Sequence, residues 1–90
     1  MRFLQVLWDL DDEPTGNVQH IAMHGVTKEE VEDVLQNEDN LETISRTTGS
    51  PIIFGWTRSG KHIAVIWEEV MDDPRIAYPV TAYETPPLGG

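Results

Sequence analysis

Residues 52–67 read IIFGWTRSGKHIAVIW, two β-prone runs joined at Ser59-Gly60. Ile52, Phe54 and Trp56 alternate up to Thr57, Ser59-Gly60 is a tight-turn pair, and Ile63, Val65 and Trp67 alternate on the return. Period-two alternation on both sides of such a turn predicts an antiparallel hairpin. Upstream, Leu41 to Arg46 is β-branched and polar by turns and ends at the turn TTGSP, which adds one more strand. Downstream, EEVMDDP is a looser turn, after which Ile76, Tyr78, Val80 and Ala82 alternate again. Pro79 interrupts that last strand, and because proline has no N–H for a ladder, the strand is expected to lie at an edge or to bulge there.

The N-terminal half has a different rhythm. FLQVLW at residues 3–8 predicts a short first strand, and DLDDEPTGN breaks it. From Asn17, Val18, Ile21 and Ala22 fall at helical spacing, with Asn17 as the expected N-cap, His24 at the end of the helix and Gly25 in the left-handed conformation after it. A second helix is expected over residues 27–37. Thr27 caps it, Glu30 three positions later completes a capping box, Glu29 and Glu30 favour the helix dipole, and Val31, Val34 and Leu35 form the buried face. The order β-α-α-β-β-β-β predicts an α+β domain over residues 1–84, with two short helices packed on a mainly antiparallel four- to five-stranded sheet. Residues 85–90, TPPLGG, are expected to be a disordered tail.

Ninety residues suffice for one modest core, and a 39% hydrophobic content places the chain in the globular class. With no cysteine there is neither a disulfide framework nor a thiolate, and a reducing cytoplasm is the expected compartment. The longest apolar run, Ile63 to Trp67, is far short of a membrane span, so no membrane association is expected. The net charge of −10 opposes nucleic-acid binding, which needs Lys and Arg against phosphate. Its distribution is uneven, however. Residues 9–42 hold eleven acids against Lys28, whereas residues 43–67 hold Arg46, Arg58 and Lys61 and no acid. An anion would meet net positive charge only in that second window.

Two sets of residues carry candidate chemistry. His20 and His24 stand at i and i+4, the spacing of a metal-binding pair, but Ile21 occupies the place of a zincin glutamate and no third ligand follows, so no metal site is expected. Their simpler roles are a partly buried helix residue for His20 and an imidazole favourably placed against the helix dipole for His24. The second set is Arg46, Arg58, Lys61 and His62. As solvated loop charges they need no further account; as an anion cradle they would supply guanidinium forks for phosphate oxygens and a proton donor or acceptor in His62. Metal-independent RNA cleavage needs little more than a base, an acid and cations for the developing charge. Tyr83 or Glu84, at the end of the last strand, could join such a set. No phosphate loop, nucleophile elbow, dinucleotide fingerprint or calcium loop is present, and no cofactor is expected.

Taken together, LWD, HGVTKEEVEDVL, the hairpin FGWTRSGKHIAVIWEE and the ending YPVTAYE resemble the BrnT family of type II toxins over about residues 7–84. The order and spacing of these elements carry the resemblance. It implies a RelE-like fold, messenger-RNA cleavage and a DNA-binding antitoxin, of the ribbon-helix-helix type, as partner; on that reading the residues set out above, Arg46, Arg58, Lys61 and His62 with Tyr83 nearby, would supply a metal-independent site. His24-Gly25 matches the family's HG, and His20 matches nothing in it. Met23 stands where the family usually has lysine, and Thr81-Ala82-Tyr83 where it has Ser-Ala-Arg. Two functions are therefore expected to compete: a BrnT-like ribonuclease with RNA as substrate, and a non-catalytic module on the same fold that meets a small basic DNA-binding partner through its acidic helices.

Overall fold

A computed structural model describes residues 2–87 and shows an α+β architecture: two helices and a five-stranded mixed sheet. In chain order the elements are β1 (Gln5–Val6), α1 (Asn17–Ala22), α2 (Lys28–Gln36), β2 (Glu42–Ile44), β3 (Pro51–Trp56), β4 (His62–Asp72) and β5 (Arg75–Glu84). The sheet order is β1-β5-β4-β3-β2. Three pairings are antiparallel, and β1 runs parallel to β5, so the sheet is mixed.

The hairpin forms as its alternation predicts, with Trp56 opposite His62 and Gly60 at φ 91 completing the turn. Its two apolar series lie on opposite faces, however. Ile53 pairs with Val65 and Gly55 with Ile63, and these residues point toward α2, where Val31, Val34 and Leu35 meet them in the core with Phe3, Trp67, Ala77 and Ala82. Ile52, Phe54 and Trp56 pair with Ile66, Ala64 and His62 and therefore point away from α2. Alternation shows that successive side chains point to opposite faces; it does not say which face a helix will cover.

The capping box is present as expected. Thr27 Oγ1 accepts the Glu30 N–H at 3.2 Å, and a Glu30 carboxylate oxygen accepts the Thr27 N–H at 3.0 Å. The last strand is internal, lying between β1 and β4, and the register shifts between Ile66 and Trp67 so that Val80 is the extra residue before Pro79 pairs with Trp67. This is the bulge that Pro79 called for.

Four local expectations are corrected. Only Gln5–Val6 of residues 3–8 forms a strand, because Phe3 turns into the core and Trp8 turns to give its indole N–H to Glu32 at 2.8 Å. Gly16, not Asn17, caps α1. Asn17 is instead buried, donating from its carboxamide to the carbonyls of Leu7 and Pro79 at 3.1 and 3.0 Å and accepting from Asp9 N–H at 2.9 Å. It thereby ties the loop after β1 to β5 beyond the short β1 pairing. The helix ends at Ala22 with Met23 as C-cap, leaving His24 in the following turn, and Gly25 does adopt φ 75. Of the expected stripe, Ile21 is buried and Ala22 is exposed. Beyond β5, residues 85–87 have no regular structure, although the Thr85 N–H bonds the His62 carbonyl at 2.8 Å. The remainder of the expected tail, residues 88–90, lies outside the described residues.

Candidate functional site

The hairpin turn is held from inside. Thr57 N–H bonds the Lys61 carbonyl at 2.8 Å, and Thr57 Oγ1 accepts the Lys61 N–H at 3.0 Å and lies 2.7 Å from Ser59 Oγ. Glu30 approaches this turn from the first turn of α2 and is 6% exposed. Beyond its capping bond, it accepts the Ser59 hydroxyl at 2.5 Å and faces Lys61 Nζ at 3.3 Å, while Lys61 also donates to the Gly25 carbonyl at 2.7 Å. Burial pushes the Glu30 carboxyl upward, but Ser59, the Thr27 N–H and Lys61 together outweigh burial and hold it below its ordinary value. Lys61 therefore serves as the counter-ion and donor that ties the hairpin to α2.

The other predicted cations are separated from it. Arg58 gives its backbone N–H to Asp33 at 3.1 Å and its guanidinium Nε stands 3.6 Å from the same carboxylate, with the side chain 93% exposed. Arg46 lies in the turn between β2 and β3, where the Ser45 N–H bonds the Ser50 carbonyl at 2.8 Å. Six residues of β3 separate that turn from the Arg58 hairpin, a span of about 20 Å. Arg46 and the hairpin cations thus lie at opposite ends of β3, and the structure does not bring the three together.

His62 and Tyr83 do share a surface. Tyr83 pairs with Ala64, so Trp56, His62 and Tyr83 all lie on the face turned away from α2. The His62 ring meets Trp56 edge-on at 5.1 Å between centroids, and its Nδ1 lies 3.1 Å from the Thr85 carbonyl. As diagonal neighbours on adjacent strands, His62 and Tyr83 are about 7–8 Å apart. A cavity of 380 Å³ opens beside His62, walled by Trp56, His62, Lys61, Glu84 and the prolines 86 and 87. Around it the face is apolar and aromatic, with Trp56 57% and Tyr83 36% exposed, and the nearest cation, Lys61, is engaged with Glu30.

A second cavity, of 480 Å³, lies between α2 and the edge of β3, lined by Glu32, Asp33, Gln36, Asn37, Trp56 and Arg58. Sequence reasoning gave a site role by number only to Arg58, while the acids of α2 entered only collectively, as an acidic helical surface that could meet a basic partner. Trp56 read as one more apolar residue of an alternating strand, and Glu32 and Asp33 as the solvated side of a helix. The meeting of α2 with the hairpin 25 residues later in sequence has no local signal.

His20 and His24 are both exposed, with rings 5.4 Å apart, and among the described residues no three His, Cys, Asp or Glu side chains are grouped to hold a metal ion. No helix among the described residues is long and apolar enough to cross a membrane. At the far end of the sheet, Arg75 pairs with Glu42 and Glu69 at 2.8 and 2.7 Å and lies 4.7 Å from the Phe3 ring centroid, so this cation too is internally engaged.

Comparisons with family models, with curated proteins and with solved structures find no match. The likeness to the BrnT family rests on the sequence elements alone.

Proposed function

We propose that this chain is a non-catalytic protein-interaction module on a RelE-like fold, which binds a small basic DNA-binding partner of the ribbon-helix-helix type through its acidic helical side. The observation that carries this reading is the engagement of the cations. Lys61 is held by Glu30 and the Gly25 carbonyl, Arg58 stands beside Asp33, Arg75 lies between Glu42 and Glu69, and Arg46 lies at the opposite end of β3 from the hairpin. Stabilising a phosphorane requires donors aimed at one point where charge develops. Here Lys61, Arg58 and Arg75 are directed to carboxylates of the same chain and Arg46 stands apart from them, which leaves the net charge of −10 to attract a basic protein.

The BrnT-like ribonuclease is the second reading, favoured by the shared face of His62, Tyr83 and Trp56. An imidazole and a phenol on one surface can act as base and acid, with an indole to stack a base. Expression of the chain alone, with growth and total-RNA integrity followed, separates the two. The module reading expects neither growth arrest nor RNA fragments. Arrest abolished by His62→Ala or Tyr83→Phe would replace it with the ribonuclease reading.

A further inference from the structure

We infer that the cleft between α2 and the free edge of β3 is a recognition site for an arginine side chain carried on an extended basic segment of a protein partner. The inference rests on the module reading above and gives it a place. β2 pairs with β3 only at Pro51, Ile52 and Ile53, so among the described residues no strand covers β3 beyond them. Because the Thr57 N–H bonds Lys61 across the hairpin, residues 57, 55 and 53 turn their peptide groups toward β4, and the N–H and C=O of Trp56 point outward at the uncovered edge. An extended segment can add to such an edge through its main chain and place alternate side chains against the protein.

The 480 Å³ cleft beside that edge has the chemistry for a guanidinium. Trp56 lines the cleft from the strand edge, and although its side chain leans to the outer face of the sheet it is 57% exposed, so a guanidinium at that edge can stack on it. Asp33 and Glu32 provide the acceptors. Asp33 Oδ2 takes the Arg58 N–H, while its Oδ1 has only the loose approach of Arg58 Nε at 3.6 Å. Glu32, which also lines the cleft, takes the Trp8 indole N–H on Oε2. Arg58 itself stands at the mouth, a resident cation held weakly where the incoming one would sit. The net charge of −10 repels both a second copy of this chain and an anionic polymer, and it attracts a basic segment.

The test is heteronuclear NMR of the full chain titrated with an acetylated, amidated tetra-arginine peptide at about 0.15 M salt. Saturable shifts are expected at the Trp56 indole and at Asp33. Asp33→Asn keeps the acceptor for the Arg58 N–H but removes the charge, and it should weaken binding about tenfold, as should Trp56→Leu. Arg58→Ala, which empties the mouth, should tighten it. Asp72→Asn with Asp73→Asn removes more charge at the distant, exposed β4–β5 turn and should leave affinity within twofold of wild type; the amide spectra of all variants report folding directly. If shifts spread over the acidic surface and the distant double variant weakens binding as much as Asp33→Asn, the cleft assignment fails while the acidic-module reading stands. If tetra-arginine causes no shifts at all, both fail.

Discussion

Gly55 faces α2 with the Asn40 carboxamide against it: a Cβ at that position would come within 2.7 Å of Asn40 Cγ. Asn40 cannot withdraw freely, since its Nδ2 donates to the Val34 carbonyl at 3.0 Å and its own carbonyl accepts from the Arg2 guanidinium. Glycine at residue 55 is therefore required by a close approach, not by an unusual φ. Gly55→Ala is expected to destabilise the fold by about 1–3 kcal/mol through overpacking, read by urea denaturation, and Asn40→Ala in the same chain should recover part of that loss. A second residue-scale expectation concerns Thr27. Its hydroxyl is one half of the capping box, so Thr27→Ala should cost about 1 kcal/mol, and a change below a few tenths would show that the cap is dispensable. This box was legible in the sequence because both its partners lie within one turn. The Gly55–Asn40 contact was not, because it joins a loop to a strand in three dimensions.

Between elements, the loop after β1 is fastened to β5 by Asp9, Asn17 and Tyr78. Asp9 Oδ2 accepts the Tyr78 hydroxyl at 2.6 Å and the Asn17 N–H at 2.9 Å. The Tyr78 hydroxyl and then the Asn17 N–H hold the Asp9 carboxyl below its ordinary value, and the same bond to Asp9, with burial, pushes the Tyr78 phenol up to about 12. Each shift gives stability a pH limb. The Asp9 contribution is complete above the unfolded carboxylate value of about 3.9 and is lost as pH falls through the lower folded value. The Tyr78 contribution is complete below the unfolded phenol value of about 10 and is lost as pH rises toward the folded one. Melting temperatures of wild type and Tyr78→Phe should differ most from about pH 5 to 9 and converge at both extremes. A gap that stays constant across the range would mean that the pair does not couple to folding. In the sequence, Asp9 belonged to an acidic loop, Asn17 to a helix cap and Tyr78 to an alternating strand. Hydrophobic period and turn chemistry identified the hairpin, α2 and the Pro79 bulge because those signals are local. They could not show that Ile53 rather than Ile52 faces the helix, or that a two-residue β1 would run parallel to β5, since both depend on how distant segments pack.

Across the whole molecule, the acid-free window of residues 43–67 does not fold into one positive surface. Its cations are distributed to the two ends of β3, and the acids of α2 come over to meet two of them, Glu30 at Lys61 and Asp33 at Arg58. Local charge read along the chain suggested a cradle because it omits partners that arrive from elsewhere in the fold. The exposed surface around the hairpin is instead either acidic, along α2, or aromatic, on the sheet face of Trp56 and Tyr83. Protein binding without catalysis is therefore expected. The most direct measurement is incubation of the purified chain with a defined single-stranded RNA in the presence of a chelator, with the products mapped by primer extension beside His62→Ala and Tyr83→Phe controls. The wild type should yield no ends absent from the controls; new ends produced by the wild type and missing from either variant would overturn the non-catalytic reading.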